Sequence, residues 1–184
     1  MTCRDCLTQP AAAYDRVVAP FEFTGGVREA LHLVKYQGRR RLTAHVAAAV
    51  SAFARRHLLD DAFTVVLPVP LNWQRLWRRG FNQAEWFAAP VADELGVPLE
   101  TTWLTRRQAT PSQTTRTRAQ RLANLEGAFA VTATGAARLP DARVLLVDDI
   151  VTTGATADAC ARALQQAGAA HITVLAAAVT PRAT

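Results

Sequence analysis

The sequence predicts an α/β fold in which a mainly parallel sheet is flanked by helices. Short runs of β-branched and other apolar residues alternate along the chain with longer segments whose apolar residues recur every three or four positions. The 184 residues, 50% of them hydrophobic, suit one domain with a sizeable core. No apolar run approaches the ~18 residues of a membrane helix, and the N-terminus lacks a signal-peptide pattern. We therefore expect a cytoplasmic protein without membrane insertion.

Two strands and three helices are predicted in the first half of the chain. The segment RVVAPFEF (16–23) predicts a strand, and residues 27–38 have helical apolar spacing that stops at Gly38. An alanine-rich helix follows at 42–59. The segment FTVVLPVP (63–70) has the composition of a strand and ends on two prolines. Residues 82–95 predict an amphipathic helix that ends at Gly96.

The second half begins with one or two short strands in residues 97–107. Residues 107–120 are polar and basic, which predicts an exposed, mobile loop. A short helix to Leu125, a strand at 127–131 and a turn rich in Gly and Pro through Asp141 follow. Two strands, 143–147 and 171–179, enclose a helix at 155–167 and complete the alternation.

Two adjacent carboxylates, Asp148 and Asp149, directly follow the apolar strand. Ligands of such sheets bind beyond the carboxyl ends of the strands. Because the strand is predicted to end at Val147, we expect both carboxylates at that edge. Neighbouring like charges destabilise a fold unless something donates to them. A vicinal diol can donate one hydroxyl to each carboxylate, and a divalent cation reduces their repulsion.

The next segment, TTGAT (152–156), has the composition of a phosphate-binding loop. Gly154 permits backbone conformations closed to other residues, and the threonine hydroxyls can donate hydrogen bonds. The loop precedes a predicted helix, whose first N–H groups attract anions. Taken alone, the aspartates also fit the metal site of a receiver-type signalling domain or a helix N-cap. The acid pair and the loop together favour ribose 5-phosphate as the ligand.

Positive charge is spread over several arginine clusters. The formal net charge is +6, and Lys35 is the only lysine. Guanidinium groups bind phosphate oxygens in pairs, so a polyphosphorylated small molecule and a nucleic-acid backbone are both candidate partners. The base composition of the genome explains the arginine bias equally well.

Residues 144–156 resemble the phosphoribosyl pyrophosphate (PRPP) fingerprint of type I phosphoribosyltransferases. That resemblance implies the type I phosphoribosyltransferase fold, with a flexible flap. Three further stretches, LPVPLNWQRLWRRGFNQAEWFA (67–88), PSQTTRTRAQRLANLEGAF (111–129) and residues 3–42, resemble the ComF family. These are phosphoribosyltransferase-like proteins linked to natural competence. The resemblance covers nearly the entire chain.

The resemblance implies a role for each matching residue. It assigns the ribose contacts to Asp148 and Asp149, and the 5-phosphate contacts to Thr152, Thr153, Gly154, Ala155 and Thr156. The implied pyrophosphate contacts are Pro70, Leu71, Asn72, Arg75, Arg79 and Lys35. The implied flap positions are Gln113, Arg121 and Asn124, and Gln120 stands where relatives commonly carry an acid.

Simpler structural interpretations remain for several of these positions. Residues 70–72 also fit an ordinary turn after a strand, and the arginines that follow also fit a solvated basic face. Asn82 fits a helix cap, a position that asparagine favours. Cys160 lies in an apolar helical pattern and is interpreted as a small core residue without chemistry.

ComF relatives usually carry a four-cysteine zinc finger, and CRDCL resembles its last pair. A tetrahedral zinc site needs four ligands, and here only Cys3 and Cys6 match, so we expect any zinc to be held weakly. Either the finger has been lost or the chain begins downstream of it. We assign residues 1–15 to a remnant of the zinc-finger segment and residues 16–184 to the phosphoribosyltransferase-like domain.

Two functions from different classes follow from the resemblance. The first is a Mg²⁺-dependent phosphoribosyltransferase, which transfers a pentosyl group from PRPP to an acceptor that the sequence does not identify. The second is a non-catalytic factor that handles single-stranded DNA during uptake, beside a helicase-like competence protein. No residue is identified as a general base.

Overall fold

The computed structural model describes residues 12–37, 40–71, 80–107, 125 and 127–181. These residues contain a five-stranded parallel sheet of β1 (Arg16–Val18), β2 (Phe21–Glu22), β3 (Val65–Pro68), β6 (Arg143–Val151) and β7 (His171–Val179). Both β1 and β2 pair with β7, which pairs with β6, and β3 forms the other neighbour of β6. A separate antiparallel pair consists of β4 (Leu104–Arg106) and β5 (Phe129–Val131).

Helices cover both faces of the sheet. They are α1 (Gly25–Gln37), α2 (Arg40–Leu58), α3 (Gln83–Leu95), the short α4 (Ala133–Ala136) and α5 (Ala155–Gln166). Leu145 and Val147 of β6 pack with apolar side chains of α1, α2 and α3. Val144 and Leu146 point to the opposite face and pack with α5, β4 and β5. Because both faces are covered, β6 and β7 are nearly continuous apolar runs rather than alternating ones.

Most predicted elements are confirmed to within one or two residues. The predicted strand at 16–23 is divided into β1 and β2, and a single bridge between Val66 and Leu99 precedes β4. The turn predicted before Asp141 contains the short helix α4. The predicted flap at 107–120 and the helix before Leu125 lie almost entirely outside the described residues.

One boundary is wrong in a way that matters for the site. The strand predicted to end at Val147 continues through Asp148 and Asp149 to Val151. Its neighbour β7 is equally long, and the pairs Asp148 with Ala176 and Val151 with Val179 extend the ladder beyond the apolar run. The carboxylates are therefore held by strand geometry, not by a loop.

Among the described helices, none combines the length and apolar character needed to cross a membrane.

Candidate functional site

The site forms where β3 ends and β6 continues. The last pair between these strands joins Pro68 to Val147, and the N–H of Val69 donates to the carbonyl of Val147 at 2.8 Å. Beyond that point Asp148, Ile150 and Val151 continue the ladder with β7, and no other described strand pairs with this part of β6. Asp148 and Asp149 thus lie beyond the carboxyl end of β3, at the edge of the sheet where ligands of parallel sheets bind.

The acid pair makes its own local hydrogen bond at this edge. The backbone N–H of Asp149 donates to Oδ1 of Asp148 at 2.8 Å. Every second residue of a strand directs its backbone N–H and C=O to the same side. The Val147 carbonyl points to β3, so the N–H of Asp149, two residues later, points to that side as well. The Asp148 carboxylate is the acceptor there, in the place of a carbonyl of β3. Both aspartates are half-buried, which leaves part of each exposed to a ligand.

Strand alternation places Asp148 on the same face of β6 as Val144 and Leu146, which is the face that α5 covers. Burial raises the pKa of the Cys160 thiol well above its ordinary value, the Asp148 carboxylate raises it further, and the Arg106 guanidinium lowers it. Asp148 of β6 and Arg106 of β4 therefore both act on the same part of α5. A protonated, fully buried thiol is not a nucleophile, and the interpretation of Cys160 as a core residue is confirmed.

The loop after β6 has the geometry of an anion-binding turn. Gly154 adopts φ 77°, in the left-handed region that glycine favours, and forms the N-cap of α5. Its carbonyl accepts the N–H of Asp158 at 2.8 Å, and the hydroxyl of Thr153 accepts the N–H of Ala155 at 3.4 Å. Thr152 is exposed, and Thr153 and Thr156 are half-buried. Threonine hydroxyls and the first N–H groups of a helix thus meet at one turn.

A second segment reaches the same edge from β3. Pro70 and Leu71 follow Val69 and are half-buried. Asn82 holds this exit turn, because its Nδ2 donates to the Val69 carbonyl at 3.1 Å while its Oδ1 accepts the N–H of Ala84 at 3.2 Å. The prediction that Asn82 caps a helix is confirmed, since it is the N-cap of α3. Its bond to the β3 exit was not predicted.

The structure brings residues 70–71 to the same edge as the acid pair and the TTGAT loop, which are contiguous in the sequence. Lys35 lies on α1, but its side chain is outside the described residues. The other predicted site residues lie outside the description altogether and stay predictions: Asn72, Arg75, Arg79, Gln113, Arg121, Asn124, Cys3 and Cys6.

Two further residues of the site were missed. The hydroxyl of Tyr14 lies against Gly154, and the carboxylate of Asp158 is buried beneath the loop. Neither has a local sequence signal. Tyr14 meets α5 only through the tertiary fold. Its neighbour Ala13 bonds to Asp158, which lies 145 residues later in the sequence.

The donor set at this edge suits a hard cation. Within the described ranges no three His, Cys, Asp or Glu side chains converge as a metal cluster. Mg²⁺ is commonly bound by one or two carboxylates together with substrate phosphates rather than by an all-protein cage. Asp148 and Asp149 supply such carboxylates, so the residues present fit Mg²⁺ delivered with a phosphorylated ligand.

Comparison with known proteins identifies the family to which the chain belongs. The model of the phosphoribosyl transferase domain matches residues 82–183. The chain is 31% identical over 179 residues to the DNA utilization protein YhgH of Salmonella typhimurium, covering 95% of this chain and 76% of that protein. It is 30% identical over 176 residues to competence protein F of Haemophilus influenzae, covering 94% and 76%. Competence protein ComFC of Bacillus subtilis is 27% identical over 174 residues, covering 91% and 68%.

Solved structures of similar fold are more distant in sequence. The glutamine PRPP amidotransferase of B. subtilis is 18% identical with a TM-score of 0.49, covering 74% of this chain and 26% of that chain. The purine phosphoribosyltransferase of Pyrococcus horikoshii is 16% identical with a TM-score of 0.45, covering 70% of each chain.

The domain match covers more than half of the chain, and the relatives named for competence and DNA utilization cover most of it. The predicted resemblance to the ComF family is thereby confirmed, as is the predicted α/β, type I phosphoribosyltransferase fold. The chain belongs to the phosphoribosyl transferase domain family.

Proposed function

We propose that this protein binds PRPP with Mg²⁺ and transfers its phosphoribosyl group to an acceptor. One observation carries the proposal: the acid pair on the open edge of β6 adjoins both the TTGAT loop and the exit turn of β3. The acid pair lies between the TTGAT loop and the exit turn of β3, and a ligand whose diol lies between two phosphate groups matches that arrangement.

Each segment suits one part of PRPP. The carboxylates of Asp148 and Asp149 can accept hydrogen bonds from the two ribose hydroxyls. The TTGAT loop offers hydroxyls and N–H groups of α5 to the 5-phosphate. The exit turn with Pro70 and Leu71 lies on the β3 side, where the pyrophosphate would extend. Arg75, Arg79 and Lys35 are proposed as further pyrophosphate contacts, and Gln113, Arg121 and Asn124 as flap residues.

The proposed reaction is a substitution at the anomeric carbon. The bond from that carbon to the pyrophosphate oxygen breaks, its electron pair leaves with pyrophosphate, and a bond to the acceptor forms. Positive charge develops on the sugar ring during this step, and the two carboxylates beside the ribose stabilise it. Mg²⁺, when bound with the ligand, supplies charge neutralisation of the pyrophosphate. The protein mainly positions the reacting groups.

The names of the relatives extend the proposal to a cellular setting. They include competence proteins and DNA utilization proteins, so we propose that the activity is linked to DNA uptake. The proposed compartment is the cytoplasm. The acceptor is unidentified, and its class is the first question for a turnover assay.

Calorimetry with PRPP and Mg²⁺ tests the binding step. We expect wild-type protein to bind and the double variant Asp148→Asn, Asp149→Asn to bind at least about tenfold more weakly, since charged hydrogen bonds contribute about 1.5–3 kcal/mol. The matched control is Asp93→Asn, Glu94→Gln, which removes two adjacent acids from the exposed surface of α3. Absent binding by wild-type protein, or an equal loss in the control, contradicts the proposal. Pyrophosphate release across a panel of bases, amines and DNA then tests turnover.

A second function is favoured by the DNA-related names of the relatives together with the net charge of +6. In this alternative the protein handles single-stranded DNA beside a helicase-like partner and does not turn over PRPP. Binding of single strands that PRPP does not displace, without pyrophosphate release, supports it. Normal DNA uptake in a deletion strain opposes it. Of the aromatic residues near the arginines, Phe81 and Trp86 stack on each other at 4.1 Å, so they already form a pair within the protein.

A further inference from the structure

Residues 13–15, which we call the N-terminal strap, are held on α5 and β7 by hydrogen bonds on both sides of Tyr14. The N–H of Ala13 donates to Oδ1 of the buried Asp158 at 2.7 Å. The N–H of Asp15 donates to the carbonyl of Ile172 at 2.9 Å, and the N–H of Ile172 donates to Oδ2 of Asp15 at 2.8 Å. Ala13 is itself buried. The strap thus has a defined position on the domain.

The anchor on α5 is a satisfied buried carboxylate. Asp158 is 3% exposed, and its second oxygen accepts Nε of Arg162 at 3.0 Å. Its N–H makes the bond to the Gly154 carbonyl that begins α5. One residue therefore connects the strap to the turn that carries the TTGAT loop.

Tyr14 completes that connection from the other side. A Cβ atom added to Gly154 would lie 2.6 Å from the Tyr14 hydroxyl oxygen and 3.7 Å from ring atom Cζ. The first distance is shorter than any real carbon contact, and the second is ordinary van der Waals contact. The tyrosine ring packs against the core on the α5 face. The hydroxyl therefore occupies the space that glycine leaves open at the loop.

We infer that Tyr14 is a positioning residue for the sugar phosphate: its hydroxyl fixes Gly154, so the TTGAT loop is preorganised for the 5-phosphate when the strap is docked. This inference rests on the proposed function. A loop already held in its bound conformation loses less conformational freedom on binding, which increases affinity without a new contact to the ligand. By thermodynamic linkage, the sugar phosphate also stabilises docking of the strap.

The first experiment compares Tyr14→Phe with wild type. We expect affinities for PRPP and for ribose 5-phosphate, each with Mg²⁺, to fall together by about threefold to tenfold, as for one lost hydrogen-bonding group. Both ligands share the ribose and the 5-phosphate, so a common loss excludes the pyrophosphate contacts as its cause and agrees with an effect at the loop. Thr64→Val, which removes a hydroxyl hydrogen-bonded to Arg143 at the start of β6 and so at the opposite end of the sheet, is the control and should leave both affinities unchanged.

The second experiment uses two glycines with similar backbone geometry. Gly154 and Gly96 have φ 77° and 65°, but a Cβ at Gly96 meets nothing within 4 Å. Gly96→Ala therefore measures left-handed backbone strain alone. We expect Gly154→Ala to lower the thermal midpoint further than Gly96→Ala in wild-type background. In the Tyr14→Phe background the two glycine substitutions should lower the thermal midpoint by similar amounts, because the hydroxyl that a Cβ at Gly154 would meet is gone.

The outcomes separate the inference from the proposed function. If wild-type protein binds neither PRPP nor ribose 5-phosphate, the proposed function and the inference fall together. If wild-type protein binds and Tyr14→Phe binds equally well, only the inference is overturned. A Tyr14→Phe variant that unfolds at lower temperature but keeps both affinities assigns Tyr14 a purely structural role and also overturns it. If Gly154→Ala lowers the thermal midpoint equally in the wild-type and Tyr14→Phe backgrounds, the Tyr14 hydroxyl does not contact Gly154, and the inference is overturned.

Discussion

Cys160 lies in the core beneath the acid pair, and its environment gives a pH-dependent prediction. Burial, followed by the Asp148 carboxylate, raises the pKa of this thiol in the folded protein. As pH rises, the unfolded chain releases the thiol proton first, so the stability associated with Cys160 is present below the unfolded pKa of about 8.5 and lost above it. The free energy of unfolding should therefore fall with alkaline pH more steeply in wild type than in Cys160→Ala.

Thiol labelling checks the same environment directly. In a variant with Cys3→Ser and Cys6→Ser, we expect the Cys160 thiol to react with a disulfide reagent only as the protein unfolds, because the native thiol is buried and protonated. Labelling in increasing urea should follow the unfolding curve. Rapid labelling of the folded protein would contradict the burial of this residue.

Local chemistry made some site residues predictable and not others. The acid pair and the TTGAT loop are contiguous, and the left-handed φ of Gly154 follows from its position between a strand and a helix. The interpretation of Asn82 as an N-cap also rests on local preference. Tyr14 and Asp158 acquire their partners through packing of the strap on α5, to which no local pattern corresponds.

At the scale of elements, strand length depends on the neighbouring strand. Two charges after an apolar run predicted that β6 ends at Val147. The long partner β7 instead carries the ladder to Val151, while the register with the short β3 ends at Val147. The site depends on this difference in length between β3 and β7, which the sequence of β6 alone does not contain.

Asn82 joins two elements, and its two side-chain groups can be tested separately. Asn82→Ala removes the cap of α3 and the donor to the Val69 carbonyl, so we expect a loss of about 1–3 kcal/mol in urea unfolding. Asn82→Ser keeps an oxygen that can accept the N–H of Ala84, adds no charge, and loses the amide donor to the Val69 carbonyl and to Oε1 of Glu85. It should retain most of the cap's contribution to stability.

A binding experiment separates the helix-capping role of Asn82 from its hydrogen bond to the Val69 carbonyl. If Asn82 positions the exit turn of β3, the uncharged variant Asn82→Ser should lower the affinity for PRPP more than the affinity for ribose 5-phosphate, because only PRPP carries the pyrophosphate. If the affinities for both ligands fall equally, or do not fall, the hydrogen bond from Asn82 to Val69 does not position a pyrophosphate site.

At the scale of the whole molecule, alternating strands and helices were enough to predict a parallel sheet with both faces covered. The order of strands was not predictable in the same way. The sheet places β6, late in the chain, between β3 and β7, and β1 and β2 lie on the far side of β7. That order results from burial of β6 and β7 under helices from both halves of the chain.

Net charge is also a property of the whole molecule, and it allows charge-driven binding to be distinguished from binding at the site. A net charge of +6 attracts any polyanion, and the affinity for single-stranded DNA should fall with salt at a logarithmic slope of about −0.7 per phosphate contacted. The variant pairs Asp148→Asn, Asp149→Asn and Asp93→Asn, Glu94→Gln each remove two negative charges. Both should bind an oligothymidylate more tightly than wild type, in titrations over increasing salt.

Affinity for PRPP with Mg²⁺ should distinguish the same two variants, because the ribose hydroxyls need the carboxylates on β6 and not those on α3. We expect PRPP binding to fall in Asp148→Asn, Asp149→Asn and to stay near the wild-type value in Asp93→Asn, Glu94→Gln, in calorimetry at one fixed salt concentration. Equal net charge in the two variants removes general electrostatics as the cause. If PRPP affinity instead rises in both variants, as DNA affinity does, the ligand is held by overall charge and the open edge of β6 is not its site.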